Sequence, residues 1–228
     1  MSQDIKKSPT WKVLGILFLL IGLPTIWVMI NKTGKHYAKS LPIYFERELG
    51  PNGDTIYHTI EDFKLVNQNG DSVTLATFKN KILLVSFFFA SCETVCPAMN
   101  SYIGTHIYRE FEKDTNVVFL SFSVDPKNDS PSVLKAYAKN LSAGPSWQFL
   151  TGSKTVIYNL AHESFKIPGS EDEHQGLFHS NKIVIVDKER RVRGVFDTGG
   201  QNEKTNTNDA VRALEYEYKQ IKDNPKKR

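Results

Sequence analysis

Cysteine is scarce in this chain: only Cys92 and Cys96 occur among its 228 residues. Structural zinc sites are usually closed by four ligands in two pairs, so the lack of a second cysteine pair argues against zinc. Internal repeats and low-complexity segments are also lacking. Hydrophobic residues make up 40% of the chain and charged residues 24%, as in an ordinary folded protein. The composition therefore indicates a globular domain, with no signal for disorder or for a coiled coil.

An excess of charge of one sign is lacking too, because the formal net charge is only +4 and the lysines are scattered along the chain. The one basic cluster is Lys226, Lys227 and Arg228 at the C-terminal end. A short charged run of this kind is ordinarily a solvated tail. The sequence therefore gives no indication of a nucleic-acid partner.

Residues 13–30 form a long apolar run that contains no charged residue and is flanked by Lys12 and Lys32. Its length approaches the ~20 residues that a membrane-spanning helix needs. It exceeds the ~7–15-residue apolar core of a cleaved secretory signal and lacks a small-residue cleavage pattern. We therefore predict one uncleaved transmembrane helix, in contact with membrane lipid.

Lysines on the two sides of this run nearly balance, so the positive-inside rule leaves its orientation open. A short N-terminal tail before a large C-terminal domain is typical of a signal anchor whose domain is exported. We predict a single-pass protein of the bacterial cytoplasmic (inner) membrane, with its C-terminal domain on the outer, periplasmic side. The predicted divisions are a tail over residues 1–12, the anchor over 13–30, a linker over 31–56, a globular domain over 57–222 and a basic tail over 223–228.

Apolar patterning within the domain predicts alternating strands and helices. Asn69-Gly70 lies between two apolar runs and predicts a β-hairpin. Residues 82–89 and 117–124 are continuous apolar runs of strand length, typical of central strands covered on both faces. Pro97 suits the first position of the helix that follows the cysteines, and Ser130-Pro131 supplies the N-cap and first position of the next helix. A second hairpin over residues 183–196 and a last amphipathic helix over 211–221 complete a three-layer α/β sandwich with a central mixed sheet.

Cys92 and Cys96 follow the first central strand, at the predicted start of a helix. The positive end of the helix dipole favours a thiolate there, which indicates a site rather than packing. A Cys-x-x-x-Cys pair can close a disulfide or hold a soft metal, since thiolates select Cu(I) and zinc over hard cations. An inert structural disulfide is the alternative, although closing so short a loop removes little entropy from the unfolded chain.

A histidine would complete a copper site, because imidazole added to two thiolates makes a trigonal site that holds Cu(II) as well as Cu(I). Among the six histidines, His179 stands immediately before the strand that begins near Ile183. This is the sheet end where a thioredoxin-type fold brings a proline against its redox cysteines. By position, structural or solvated roles are expected for the other candidates His36, His58, His106 and His162.

Together these residues resemble the Sco/SenC family of membrane-anchored, thioredoxin-like copper proteins used in cytochrome c oxidase assembly. The resemblance covers about residues 63–201. Any one of the motifs alone would be weak, but their combination is specific. The matching positions are Gly70, Lys81, Phe88-Phe89 leading into Cys92-Glu93-Thr94-Val95-Cys96-Pro97, Ser123-Val124-Asp125-Pro126 with Asp129-Ser130-Pro131, and His179 before residues 183–187.

The resemblance implies a thioredoxin-like fold in which Cys92, Cys96 and His179 bind copper as Cu(I) or Cu(II), with the cysteines as a redox-active pair. Asp125 ends the second central strand, on the same rim of the sheet as Cys92, and matches a family aspartate that would orient or tune the ligands. An Asx turn or strand terminator is its alternative role. The acidic run Glu171-Asp172-Glu173-His174 is interpreted as a solvated loop, with partner docking or an auxiliary ligand at His174 as the alternative.

The function that the resemblance implies is that of a metallochaperone delivering copper to the binuclear copper centre of cytochrome c oxidase. Its partners would be the copper-bearing oxidase subunit and a thiol reductant or another copper chaperone. The alternative is a thiol-disulfide oxidoreductase that keeps cysteines of that subunit or of other exported proteins reduced. Cys92 would then attack the substrate and Cys96 would resolve the mixed disulfide. Three residues between the cysteines, and a histidine where thioredoxins carry proline, argue against fast dithiol turnover.

Overall fold

The computed structural model describes residues 10–33, 40–45, 47–167, 170–171, 177–199 and 203–223. The chain divides into a first unit that ends at Lys39 and a second unit that begins at Ser40. Several predicted features lie outside the described residues: the start of the N-terminal tail, His36, His174 with most of its acidic run, and the end of the basic tail.

The first unit contains two helices, α1 (Thr10–Leu17) and α2 (Leu23–Thr33), with a π-helical segment, Phe18–Gly22, between them. Leu23 N–H donates to Phe18 O, and Pro24 has no backbone N–H, so regular α-helical bonding is interrupted here. Within the described residues, no helix combines the length and the apolar character required to traverse a bilayer. The single transmembrane helix expected over residues 13–30 is therefore not confirmed.

The second unit contains the remaining elements. Its strands are β1 (Arg47–Leu49), β2 (Thr55–Tyr57), β3 (Lys64–Asn67), β4 (Ser72–Thr74), β5 (Ile82–Phe88), β6 (Val117–Ser123), β7 (Trp147–Thr151), β8 (Ser170–Glu171), β9 (Phe178–His179), β10 (Lys182–Val186) and β11 (Val192–Asp197). Its α-helices are α3 (Val95–Tyr102), α4 (Arg109–Phe111), α5 (Pro131–Asn140), α6 (Lys154–Asn159) and α7 (Glu203–Asp223). A short 3₁₀ segment, Leu75–Phe78, and two π-helical segments, Ile103–Tyr108 and Leu160–Ser164, extend or join them.

A seven-stranded mixed sheet forms the centre of this unit, in the order β11-β10-β5-β6-β7-β3-β4. Strands β5, β6 and β7 are parallel, whereas β10 pairs antiparallel with β5 and β3 pairs antiparallel with β7. All seven residues of β5 are buried, and successive side chains of a strand point to opposite faces. Both faces of the sheet are therefore covered at β5, which confirms the predicted α/β fold with a central mixed sheet.

Local sequence signals account for most of these boundaries. Strands β3 and β4 form the predicted hairpin, in which Gly70 has a φ of +88° and the Asn67 side chain accepts the backbone N–H of Asn69. Ser130 caps α5 by accepting the Val133 N–H, as predicted. Helix α3, however, begins at Val95 rather than at Pro97. Proline is tolerated at this third helical position because the first four backbone N–H groups of a helix lack intrahelical acceptors.

Residues 40–57 belong to the second unit, although the sequence suggested a linker up to residue 56. Leu41 and Phe45 pack against the core, and the Tyr44 N–H donates to Val192 O at 2.9 Å. Strands β1 and β2 pair with each other in a separate two-stranded sheet. The glycines and prolines of this segment are typical of a linker, and its contacts with the core are made by single apolar residues without a periodic pattern. The sequence therefore did not predict this packing.

Arg193 ties this N-terminal segment to the rest of the unit. Its side chain is only 1% exposed and donates to Leu41 O at 2.8 Å and to Pro42 O at 3.2 Å. The same guanidinium forms ion pairs with Asp187 at 3.0 Å and with Glu217 of α7 at 2.8 Å. The planar guanidinium thus joins the beginning of the second unit to the β10–β11 turn and to the last helix.

We predict that Arg193→Met destabilises the protein by about 3–5 kcal/mol, because it breaks the ion pair with the buried Asp187 carboxylate and leaves the Leu41 and Pro42 carbonyls without the guanidinium. Arg190→Met is the matched control, since Arg190 and Asp62 form a 3.8 Å ion pair whose side chains are 45% and 63% exposed. Its loss should cost about 0–1 kcal/mol. Urea unfolding followed by circular dichroism measures both changes, and equal losses in the two variants would contradict the structural role of Arg193.

Candidate metal centre

The turn between β5 and α3 brings the two cysteine sulfurs to the start of a helix. Cys92 N–H donates to Phe89 O at 3.2 Å, which turns the chain back at the end of the strand. Cys96 is the second residue of α3, and its N–H donates to Cys92 Sγ at 3.4 Å. Both residues are free thiols, with Cys92 6% exposed and Cys96 fully buried. The predicted placement of the pair at a helix N-terminus is therefore confirmed.

The surroundings of the two thiols push their pKa values in opposite directions. Burial raises the pKa of Cys92, but hydrogen bonds from the Thr94 hydroxyl, the Cys96 thiol and the backbone of both residues lower it more. Burial raises the pKa of Cys96 far above its usual value, and the hydrogen bond to Cys92 adds to this rise. The negative charges of Cys92 and Asp129 have the same effect. Cys92 is therefore the first thiol to ionise.

Asp125 lies on the rim that carries Cys92, as its position after β6 predicts. The Val124 N–H donates to Phe88 O at 2.8 Å, so the ends of β5 and β6 remain side by side. The Asp125 carboxylate accepts the Asn128 side-chain amide at 2.7 Å, and Asp125 O accepts the Asp129 N–H at 2.9 Å. These contacts show that Asp125 stabilises the turn after β6, which is the alternative role that the sequence allowed. A role in orienting metal ligands stays a prediction.

Asp129 contacts the cysteine turn directly, and this contact was not predicted from the sequence. Its buried carboxylate accepts the Ala90 N–H at 3.0 Å and the Ser123 hydroxyl. Burial raises the pKa of Asp129, while these two hydrogen bonds lower it in part. The Asp129-Ser130-Pro131 motif marked the start of α5, but only the folded chain shows that the aspartate side chain reaches back to the loop before Cys92.

Asn100 and Tyr137 form a second contact that the sequence did not reveal. Asn100 lies one helical turn after Cys96, is fully buried, and donates its side-chain amide to Tyr137 Oη at 2.8 Å. The Tyr137 ring packs on Phe88 with the ring centres 5.0 Å apart. Burial raises the pKa of Tyr137 to about 12, and the charges of Cys96, Cys92 and Asp129 contribute to the rise. An asparagine within the apolar face of a helix was the available sequence signal.

His179 lies in β9, whose Cα atoms come within 8 Å of those of β5, the strand that leads to Cys92. Its backbone is paired with Ser170 of β8. The His179 side chain lies outside the described part of the structure. The fold therefore places the His179 backbone at the sheet end expected from the sequence, and ligation by its imidazole stays a prediction.

Three other histidines have contacts of a structural kind. The His58 ring nitrogen Nε2 lies 2.7 Å from Ser164 O, and the ring packs against Phe45. His106 lies against the Tyr102 ring, and His162 against the Tyr158 ring. Within the described side chains, no group of three or more His, Cys, Asp or Glu residues is assembled in a way that could hold a metal ion. The two neighbouring thiols nevertheless provide soft donors, which is the ligand type that copper selects.

Comparison with known proteins identifies the family. The SCO1/SenC family model matches residues 52–215, which is most of the chain. The chain belongs to the SCO1/SenC family. The SCO1 protein homolog of Bacillus subtilis (strain 168) is 37% identical over 146 residues, or 61% of this chain and 74% of that protein.

Two solved structures of Sco proteins share the fold. BsSco, described as a Sco-family cytochrome c oxidase assembly protein with a disulfide switch, is 27% identical and superposes with a TM-score of 0.61 over 77% of this chain and 98% of its own. Bradyrhizobium japonicum ScoI with copper bound is also 27% identical, with a TM-score of 0.56 over 68% of this chain and 99% of its own. The fold of this SCO1/SenC protein is accordingly thioredoxin-like.

We predict different pH profiles for the two thiols, because only the thiolate reacts with alkylating agents. Cys92, studied in Cys96→Ser, should react with iodoacetamide with an apparent pKa below that of an ordinary thiol. Cys96, studied in Cys92→Ser, should become reactive only above that value. Mass spectrometry of the reduced variants over about pH 6 to 10 measures both rates. Equal apparent pKa values would contradict the asymmetry seen in the structure.

Proposed function

We propose that this protein is a copper metallochaperone that binds Cu(I) or Cu(II) through Cys92, Cys96 and His179. It delivers the metal to the binuclear copper centre of cytochrome c oxidase during assembly. The observation that carries the proposal is the cysteine pair, in which Cys92 Sγ accepts a hydrogen bond from Cys96 N at 3.4 Å at the N-terminus of α3. The two soft sulfur donors follow β5, the strand that lies next to the strand of His179, and soft sulfur donors match the preference of copper.

The same geometry supports transfer rather than permanent storage of the metal. The lowered pKa of Cys92 increases the share of its thiolate at a given pH, and metal ligation requires the thiolate. Cys96 has a raised pKa, so a bound metal must displace its proton. A site with three protein ligands also leaves a position open to an incoming thiolate of the oxidase subunit, so copper can pass between the proteins without being released.

Two comparisons support the choice of metal and of recipient. The copper-bound ScoI of Bradyrhizobium japonicum has the same fold, and BsSco is described as a cytochrome c oxidase assembly protein. Copper as cargo and the copper-bearing oxidase subunit as partner are extended to this chain on those grounds. A thiol reductant or a second copper chaperone is the expected upstream partner, because both cysteines must be reduced before copper binds.

The reduced full chain should bind one equivalent of copper, and His179→Ala should weaken Cu(II) binding at least about 100-fold while changing Cu(I) binding much less. The reason is that two thiolates satisfy Cu(I), whereas Cu(II) favours an added imidazole nitrogen. Competition titration and Cu(II) electron paramagnetic resonance measure the effect. His162→Ala is the control, since His162 is an exposed histidine beside Tyr158. Equal Cu(II) affinity in His179→Ala and wild type would remove His179 from the site.

A thiol-disulfide oxidoreductase is the second candidate, and the asymmetry of the cysteines favours it. Cys92 has the lowered pKa of an attacking thiol, and the fully buried Cys96 suits a resolving thiol. BsSco, which has the same fold, is described as having a disulfide switch. Fast reduction of disulfide substrates, unaffected by copper and unaccompanied by tight copper binding, would favour this function over the metallochaperone.

We further propose that residues 13–30 anchor the protein in the bacterial cytoplasmic membrane, with the second unit on the periplasmic side. The support is the uncharged sequence of this run and the exposure of its large apolar side chains, among them Leu14, Phe18 and Trp27. An exposed apolar surface of this kind is stable when it is covered by lipid.

Fractionation tests the anchor. In bacterial cells, the full chain should remain with the membrane after alkaline carbonate washing, because apolar burial in lipid does not depend on charge. Leu19→Arg combined with Leu20→Arg should release it into the supernatant, since each central arginine costs about 2.5–3.5 kcal/mol on insertion. Recovery of the wild-type chain in the soluble fraction would refute the proposal.

A further inference from the structure

One stretch of chain holds the cysteine segment at both of its ends. Before the cysteines, the Asp129 carboxylate accepts the N–H of half-buried Ala90, two residues from Cys92. After them, Tyr137 Oη accepts the side chain of Asn100, one turn beyond Cys96. Asp129 and Tyr137 both belong to the region that leaves β6 and forms α5.

Asp129 is itself fixed from three sides. It is 2% exposed, its carboxylate also accepts the Ser123 hydroxyl at the end of β6, and its N–H donates to Asp125 O at 2.9 Å. A buried carboxylate is stable only when its oxygens accept hydrogen bonds, so these contacts define one position for it. Because β6 lies in the middle of the sheet, the Ala90 N–H is tied through Asp129 to a rigid element.

We propose that Asp129 is a positioning residue for Cys92 and Cys96, holding the turn that carries them closed against the end of β6. The turn can open only when the Ala90 contact breaks, and both thiols stay buried until it does. The inference rests on the proposed function only in treating Cys92 and Cys96 as the working thiols.

The test is alkylation of the reduced, copper-free full chain by iodoacetamide at fixed pH, with Cys96 as the reporter because it is fully buried. Asp129→Asn removes the charge but can place its amide oxygen where Asp129 Oδ2 accepts both the Ala90 N–H and the Ser123 hydroxyl. Asp129→Ala removes the charge and both contacts. The difference between the two variants therefore isolates the hydrogen bonds from the effect of charge on the thiols.

Cys96 should be alkylated about tenfold faster in Asp129→Ala than in Asp129→Asn, since local opening exposes buried groups and two hydrogen bonds are lost. Asp187→Asn is the matched control, because buried Asp187 also accepts backbone N–H groups, from Glu189 and Arg191, but in the β10–β11 turn. It should leave the Cys96 rate unchanged.

Equal rates in the two Asp129 variants, or an equal acceleration in Asp187→Asn, would overturn the proposal. If Asp129→Ala does not fold by near-ultraviolet circular dichroism, Ser123→Ala removes one of the two contacts. That variant should raise the Cys96 rate about threefold over wild type, and an unchanged rate would refute the positioning role. Because no copper is used, a chain that fails to bind copper would disprove the proposed function without affecting this result.

Discussion

Parallel pairing of β5 with β6 brings the two cysteines close to the aspartates that follow β6. The two strands are in register from Ile82 opposite Val117 to Phe88 opposite Ser123, and both end at the same rim. The chain after β5 carries the cysteines, and the chain after β6 carries Asp125 and Asp129. Groups more than thirty residues apart in sequence thus meet at hydrogen-bond distance, as is typical of the carboxyl ends of parallel strands.

The same rim makes the two thiols unequal. Cys92 is stabilised as a thiolate by donors at the start of α3, whereas Cys96 is enclosed and faces the charges of Cys92 and Asp129. Cys92 therefore ionises at a lower pH than Cys96. Such an inequality suits any reaction that begins with one thiolate and finishes with the second, as thiol-disulfide exchange and stepwise metal ligation do.

Sequence reasoning succeeded where local chemistry decides the structure. The Asn69-Gly70 hairpin, the Ser130 cap and the two buried central strands all follow from short-range preferences. It was wrong about the start of α3, because a proline is tolerated anywhere in the first helical turn.

Contacts between distant parts of the chain could not be predicted from the sequence. The packing of Leu41 on the core, the reach of Asp129 to Ala90 and the Asn100–Tyr137 pair each join segments without a periodic signature. The spacing of the cysteines and the strand before them were sufficient to predict their place at the start of a helix. For Asp129, the motif indicated its position in the chain but not its hydrogen bond with the Ala90 N–H.

The Arg193 cluster determines where this protein can be shortened. A fragment that begins at Tyr57, where the apolar pattern becomes regular, would lose the Leu41 and Pro42 carbonyls that accept from the guanidinium. Arg193 would keep its ion pairs with Asp187 and Glu217, but its guanidinium would lose two of the acceptors that fix its position. Truncation before Ser40, where the second unit begins, retains every one of these groups.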